Sequence, residues 1–384
     1  MLTYITTSNL YWDRFELNSI KEMPFTDAEI EKCTVKKGDL LVCEGGDIGR
    51  SAIWCYDNKI RIQNHIHRLR SYISLSNRFY YYVLYLWKMQ ERIGGQGIGL
   101  QGLSSKALHK ILVPLPTINE QQNIVDKLDY IFDCISDLDI QKDNFLSLVD
   151  LVKSKILDLA IQGKLVPQDP NDEPASLLLE RIRAEKEELI KAGKIKRDKK
   201  ESVIFKGEDN SYYEKIGENI VDISDEVPFK IPENWSLVRL EDVLEYEQPT
   251  PYIVKSTDYK DDYQTPVLTA GKSFIIGYTN ETDGIKTELP VIIFDDFTTD
   301  SKYVDFPFKV KSSAMKILTA DEKLIDIKYA YYAMQVVECD NYNHKRYWIS
   351  EFSKKLIPLP PKAEQSKIVD AIEELYKYIE QSLS

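Results

Sequence analysis

The residues of this chain whose types and spacing suggest chemistry are a glycine-rich loop, a histidine pair and a cluster of aspartates. Gly97-Ile98-Gly99-Leu100-Gln101-Gly102 matches the GxGxxG pattern. A dinucleotide site needs that turn between a strand and a helix of a βαβ unit, whereas here it follows a helical pattern at 77–92. It reads better as a loop whose bare backbone can approach phosphates, with Gln96 and Gln101 able to pair with adenine edges. A plain surface loop is the alternative. Gly45-Gly46-Asp47-Ile48-Gly49-Arg50-Ser51 lacks the lysine and glycine spacing of a phosphate loop and reads as a tight turn carrying Arg50 outward. His65 and His67 share one strand face with no third ligand at useful spacing, so packing or nucleic-acid contact is expected and a metal is not. Asp295, Asp296 and Asp300 have no histidine close by and read as loop caps or base acceptors. There is no NPPF- or DPPY-like motif, no proper Walker A and no HExxH. The expectation is a protein without a catalytic centre, cofactor or metal of its own.

What remains is a set of cations mixed with amides, hydroxyls and aromatics. In the first half these are Arg50, Lys59, Arg61, Asn64, His65, Arg68, Gln96, Gln101, Ser104, Ser105 and Lys106. In the second they are Lys272, Lys302, Lys311, Ser312, Ser313 and the run Asn343-His344-Lys345-Arg346-Tyr347. Arginine can grip guanine through two hydrogen bonds, and lysine mostly neutralises phosphate. The bland alternative makes about half of them solvated surface charges. The net charge of −12 does not oppose DNA binding, because the charge is segregated. Between Asn58 and Lys110 nine cations face Glu91 alone, and the acids crowd into 169–226 and 241–262.

An internal repeat positions these residues. PLPTINEQQNIVDKL at 114–128 and PLPPKAEQSKIVDAI at 358–372 align without a gap at an offset of 244. Upstream, Phe79-Tyr80-Tyr81-Tyr82 has a counterpart in Tyr329-Ala330-Tyr331-Tyr332 at an offset of 250. One unit therefore occurs twice: a globular segment, a Pro-Leu-Pro exit, then a helix. In the first copy Ile124, Leu128, Ile131, Ile135, Leu138, Lys142, Phe145, Val149, Val152, Ile156 and Leu159 keep a strict 4-3-4-3 spacing. That period keeps one seam facing a partner helix, as in a left-handed coiled coil, and only Lys142 interrupts it. The second copy keeps the register with Ile368, Ile372, Leu375 and Ile379.

Within each globular segment the alternation predicts short strands, at 39–43, 51–56, 60–62 and 66–70 and again at 266–269, 291–294, 303–304 and 314–318. One clear helix is expected in each, near 77–92 and 326–338, which makes the class α+β. A charged helix is expected over 175–191, and 193–226 reads as polar and partly extended. With 43% hydrophobic and 29% charged residues the chain is an ordinary globular composition. No apolar run approaches the ~20 residues of a membrane span, no signal-peptide order follows Met1, and the five dispersed cysteines read as reduced thiols, so the cytoplasm is expected.

The ordered set of motifs resembles the specificity subunits of type I restriction–modification systems. The motifs are Val35-Lys36-Lys37-Gly38-Asp39-Leu40-Leu41-Val42 with Gly46-Asp47-Ile48-Gly49, the Leu103-to-Pro116 exit, Glu120-Gln121-Gln122-Asn123-Ile124-Val125, Ala160-Ile161-Gln162-Gly163-Lys164-Leu165-Val166-Pro167-Gln168, and Ile231-Pro232-Glu233-Asn234-Trp235. The resemblance covers nearly the whole chain. It implies two α/β-mixed target-recognition domains joined by long coiled-coil helices with pseudo-two-fold duplication. The boundaries would be 1–116 for the first recognition domain, 117–200 for a helical spacer, 201–227 for a linker, 228–360 for the second domain and 361–384 for a short helix. The implied role is non-catalytic. The two domains read the halves of an interrupted site on double-stranded DNA, with the helices as ruler, and dock methyltransferase subunits, expected to be two, and restriction/translocase subunits. Against the family pattern the first domain starts within the usual recognition domain, and the last helix has four seam positions against eleven in the first. That keeps open an alternative: a truncated or silent specificity allele that serves only as a coiled-coil assembly protein.

Overall fold

The computed structural model describes residues 1–63, 65–93, 102–196, 202–227, 229–271, 273–339 and 346–383. It resolves into two units, Met1–Asp143 and Asn144–Ser384. The strands and helices expected from the alternation are all present within a few residues, for example Leu40–Cys43, Ile60–Ile62, Val291–Asp295, Asn77–Met89 and Ala175–Lys191.

The first unit holds a short hairpin of Leu10–Tyr11 with Arg14–Phe15 and two small sheets of three or more strands. One runs in the order Lys21–Met23, Leu2–Ile5, Ile60–Ile62, Thr34–Val35, and the other in the order Ser51–Ile53, Leu40–Cys43, Ile66–Leu69. The Leu40–Cys43 strand is buried throughout. Its period of two sends Leu40 and Val42 to a core with Phe79, Tyr82 and Leu84, and Leu41 and Cys43 to a second core with Ile5, Trp54 and Ile60.

The second unit repeats this plan with longer strands. Its largest sheet is antiparallel, in the order Leu244–Glu247, Met315–Ala320, Val291–Asp295, Ser301–Val304. Here too the central strand divides its side chains: Ile292 and Phe294 enter one core, Val291 and Ile293 another. Separate pairings join Ile275–Thr279, Thr265–Leu268 and Lys309–Val310, and join Ser236–Arg239 to Leu356–Leu359. The segment read as a polar, partly extended linker holds a meander of Ser202–Lys206, Tyr212–Ile216 and Asn219–Asp222. Its order comes from outside itself. The Arg239 guanidinium grips Glu214 at 2.6 Å and Glu226 at 2.8 Å, and holds the Glu214 carboxyl below the ordinary glutamate range.

The duplication is visible atom by atom. Gln121 is buried; its Nε2 donates to the Pro116 carbonyl at 2.9 Å, and its Oε1 accepts the N–H of Ser76, which caps the Asn77–Met89 helix. Gln365 does the same in the second unit. It donates to Pro360 and accepts the N–H of Asp326, the cap of the Ile327–Met334 helix, and adds a bond to the Leu324 carbonyl. The acceptor prolines differ by 244 positions and the capped residues by 250, so one side chain links both offsets. Three further contacts repeat. Arg78–Asp129 matches Lys328–Glu373, and Tyr82–Phe132 matches Tyr332–Tyr376. A tyrosine hydroxyl, from Tyr80 or Tyr329, donates to the Pro114 or Pro358 carbonyl. The mixed helix-and-sheet fold is thus α+β and duplicated.

The Ile118–Ile161 helix has 44 residues and ends at Gly163, where φ of +66° closes a left-handed cap with Lys164 N bonding Leu159 O. A Cβ at Gly163 would lie 2.3 Å from Pro232, so the AIQGKLVPQ and IPENW motifs interlock there. Gln168 and Trp235 then meet Glu364, whose Oε2 accepts the indole N–H at 2.9 Å. Glu364 is fully buried, and burial raises its pKa above the ordinary glutamate value. The folded state therefore holds this proton more tightly than the unfolded chain. The stability Glu364 contributes is full below its unfolded pKa and is lost as pH rises through the higher folded value. Glu364→Gln, neutral throughout, is expected to gain stability relative to the parent as pH rises from about 4 to 7. Urea titrations at several pH values check this, and a constant difference would contradict it.

Along the seam, the Lys362–Leu383 helix runs antiparallel to the end of the long helix. Tyr376 donates to the Lys153 carbonyl and Glu380 pairs with Lys153, while Ile156, Leu157, Ala160, Ile368 and Ile372 are buried together. Leu159, Val149, Leu128 and Ile379 are half-buried. Ile124, Ile131, Ile135, Leu138, Phe145, Val152 and Leu375 are exposed. Within the described residues the seam is paired only at one end.

Candidate nucleic-acid interface

In the first unit the candidate residues do not share one environment. Arg61 lies on the Ile60–Ile62 strand opposite Thr34, and Arg68, from the other sheet, donates to the Thr34 carbonyl. The Arg61 guanidinium donates to the Lys59 carbonyl at 3.4 Å, and exposed Lys59 and Gln63 flank the Ile60–Ile62 strand. A second group forms around Glu44. Its backbone N–H donates to the His65 carbonyl, and its carbonyl accepts the N–H of Leu103. The His67 ring nitrogen bonds the Leu103 carbonyl at 2.6 Å. That anchor carries exposed Ser104, Ser105 and Lys106 beside exposed His65, with the Ser104 hydroxyl capping the Ser105–Leu108 turn of helix. Asn64, Gln96 and Gln101 lie outside the described residues, as does most of the GxGxxG stretch.

Arg50 is not carried outward. Its Nη2 donates to the Thr7 carbonyl at 2.7 Å, and the guanidinium sits 4.9 Å over the Tyr11 ring. The cause is the turn: Arg50 follows Gly49, whose φ of +84° folds the strand entry back toward the first residues of the unit. Several other cations of the 58–110 stretch are neutralised by acids from elsewhere. Arg70 pairs with Asp39, Arg78 with Asp13 and Asp129, and Lys88 with Asp47. Among the described residues of this stretch, Lys59, Arg61, Arg68, Arg92, Lys106 and Lys110 have no carboxylate within ion-pair distance.

In the second unit a buried carboxylate organises the group. Asp296 is 1% exposed and its Oδ2 lies 3.2 Å from Nζ of the fully buried Lys316. Its backbone N–H donates to Ala314, its carbonyl accepts the N–H of Tyr347, and its Oδ1 accepts the N–H of Trp348. Exposed Ser312 and Ser313 and exposed Arg346 are thereby brought to the same loop. Tyr347 corrects the sequence expectation: its side chain is fully buried and serves the core, because its backbone N–H is drawn in to Asp296. Lys311 is exposed beside this turn, with its N–H fixed to the Leu268 carbonyl, whereas half-buried Lys302 sits away from it on the Ser301–Val304 strand. Lys272, His344 and Lys345 lie outside the described residues.

Asp295 caps the adjoining loop, its Oδ1 accepting the N–H groups of Phe297 and Thr298. Asp295 thus acts as the loop cap expected from the sequence, and Phe297 and Thr298 are exposed at the loop. Among the described residues no group of three or more His, Cys, Asp or Glu side chains is placed to hold a metal ion, and no helix is long and apolar enough to cross a membrane.

Each unit thus offers an exposed set of cations and hydroxyls on loops fixed by backbone bonds to a sheet. The family model for the type I restriction modification DNA specificity domain matches twice, at residues 4–146 and 232–383. The chain is 56% identical over 126 residues to the Escherichia coli type I restriction enzyme EcoR124I/EcoR124II specificity subunit, covering 32% of this chain and 31% of that one. It is 32% identical over 252 residues to the Escherichia coli EcoEI specificity subunit, covering 58% of this chain and 38% of that one. The chain therefore spans about a third of the length of these curated relatives. In fold it is similar to the HsdS subunit from Thermoanaerobacter tengcongensis, with a TM-score of 0.50 at 12% identity over 99% of this chain and 84% of that one. A chain from a type I R-M system studied for complex assembly aligns with a TM-score of 0.56 at 13% identity, over 99% of this chain and 85% of that one. With both globular segments matched, the chain belongs to the type I restriction modification DNA specificity domain family.

Proposed function

We propose that this chain is the non-catalytic DNA-specificity subunit of a cytoplasmic type I restriction–modification complex. Its two recognition domains read the two parts of an interrupted target on double-stranded DNA. It docks two methyltransferase subunits and the restriction/translocase subunits, which supply the chemistry. The observation that carries this reading is the repeated glutamine clamp, which builds the same exit from globular unit to helix at Gln121 and Gln365. A duplicated reader needs two equivalent frames holding different loops, and the clamps provide the frames. In the first unit Lys59, Arg61, Arg68 and Lys106 are the proposed contacts; in the second, Lys311, Ser312, Ser313 and Arg346.

Phosphate contact makes binding salt-dependent, with log K falling by about 0.9 per neutralised phosphate for each unit of log salt. For the assembled complex, Lys106→Ala and Lys311→Ala are each expected to reduce that slope by about 1 and to weaken target and non-target duplexes alike. Fluorescence anisotropy across a salt series checks this. Salt-insensitive binding, or slopes unchanged by both substitutions, would count against these surfaces. A second reading, a coiled-coil assembly protein that captures partners without reading DNA, is favoured by the exposed seam from Ile131 to Val152. It predicts partner capture with no duplex affinity in the same assay.

A further inference from the structure

The two units fasten one hairpin in the same way and leave its tip different. In the second unit the hairpin joins Val291–Asp295 to Ser301–Val304. The Asp295 N–H donates to the Asp300 carbonyl at 2.8 Å and the Thr299 N–H to the Asp295 carbonyl at 3.0 Å. The Asp296 N–H donates to Ala314 at 3.1 Å, and the Asp296 carbonyl accepts from Tyr347 at 2.9 Å. The first unit repeats all four bonds: Cys43 to Arg50 at 2.8 Å, Gly49 to Cys43 at 3.0 Å, Glu44 to His65 at 2.9 Å and Leu103 to Glu44 at 2.7 Å. Leu103 and Tyr347 lie 244 positions apart (347 − 103), the offset of the repeat. What the two frames hold out is not the same. In the first unit Ile48 is buried, Asp47 pairs with Lys88, and the bare Gly45 and Gly46 face open space. In the second unit Phe297 is 41% exposed, Thr298 is exposed beside it, and Phe297 enters no core cluster among the described residues. The ring nevertheless stands on a fixed backbone. The N–H groups of Phe297 and Thr298 both donate to Asp295 Oδ1, at 2.9 and 3.0 Å, and Thr299 is held at a φ of +64°, a costly conformation for a β-branched residue.

We propose that Phe297 is a specificity-determining residue of the second recognition domain, whose ring, with the Thr298 methyl group, packs against the 5-methyl group of a thymine in the DNA major groove. This rests on the function proposed above. A two-stranded β-ribbon fits the major groove, where the thymine methyl is the apolar feature that a phenylalanine or a threonine methyl can contact. The minor groove, at about half the width, does not admit the ribbon. The neighbours of the tip supply the rest of such a contact. Ala314 and Tyr347, both bonded to Asp296, bring exposed Ser312, Ser313 and Arg346 to the same loop, where hydroxyls and a guanidinium suit phosphate oxygens. A ring already held on a fixed backbone loses little freedom on binding, so its contact is well spent on discrimination. The first unit's Gly45-Gly46 tip offers no apolar group, which confines this contact to one half of the target.

The test uses the assembled complex and duplexes carrying the two-part target that its methylome defines. Each thymine in turn is replaced by deoxyuridine, which lacks only the 5-methyl group. Anisotropy titrations at fixed salt are expected to reveal a position, in one half of the target, where uracil weakens the parent complex by about fourfold, the worth of one buried methyl group. Phe297→Ala is expected to lose that dependence while keeping the parent's salt slope and its preferences in the other half. Because the Phe297 side chain is exposed, the variant should melt with the parent, which the fluorescence of buried Trp348 verifies. Uracil tolerated by the parent at every thymine, or a dependence that Phe297→Ala retains, would overturn this inference alone. Loss of methyltransferase capture by Phe297→Ala would assign the tip to a protein interface and overturn it as well. A parent complex that binds every duplex equally overturns the proposed function, and this inference with it.

Discussion

Lys316→Met is expected to destabilise the second unit by about 3–5 kcal/mol, because it strands the buried Asp296 carboxylate without its counter-charge. Lys316 is fully buried between Asp296 at 3.2 Å and Gln248 Oε1 at 3.2 Å, with the Tyr246 ring 5.6 Å from its nitrogen. Adding Asp296→Asn should recover most of the loss. The amide oxygen can still accept the Trp348 N–H, and a neutral group needs no partner charge. The partial rescue separates a charge effect from a packing effect, since lost packing would not return with the second change. Trp348 stacks against Phe352 in the same core, so its fluorescence follows unfolding in urea. Equal losses in the single and double variants would refute the ion-pair account. Because Asp296 also ties Ala314 and Tyr347, the single variant should loosen the loop that displays Ser312, Ser313 and Arg346.

Gln365→Leu is expected to cost more than about 3 kcal/mol, since it leaves the Asp326 N–H and the Leu324 and Pro360 carbonyls buried without partners, each worth about 1–3 kcal/mol. Gln121→Leu should act in the same direction but less, because it strands only the Ser76 N–H and the Pro116 carbonyl. Gln365→Glu keeps the acceptor for Asp326 and loses both donated bonds, so it should fall between. Thermal melts of the three variants check this order, and a neutral Gln365→Leu would contradict the clamp.

The frame was legible in the sequence because its determinants are local or repeated. Alternating apolar residues at 40–43 and 291–294 announce strands, and the aligned Gln121 and Gln365 announce the exit. The six-residue difference between the two offsets marked unequal loops, and the clamp spans both offsets in each unit. Other features depend on partners distant in sequence. The 202–222 meander looked like linker because its fastening residue, Arg239, lies beyond it and its apolar content is low. Arg50 looked outward-facing because nothing local indicates that Gly49 bends it onto Tyr11 and Thr7. Tyr347 sits among cations and a histidine, and only the Asp296 loop reveals that it turns inward. The seam was legible as a period but not as a pairing, because the spacing that fits Ile156 against Ile368 and Ile372 is the same spacing left exposed at Ile131 and Leu138. Base readout is not legible at all, since it depends on where loops meet a groove.

The central claim is that this chain directs modification to a two-part DNA target. Base-resolution methylome sequencing of the host, with the gene intact and with it deleted, tests that claim most directly. The account predicts an interrupted, adenine-methylated motif that disappears on deletion and returns when the intact gene is restored. A methylome identical in the two strains, with the partner methyltransferase expressed in both, would contradict it.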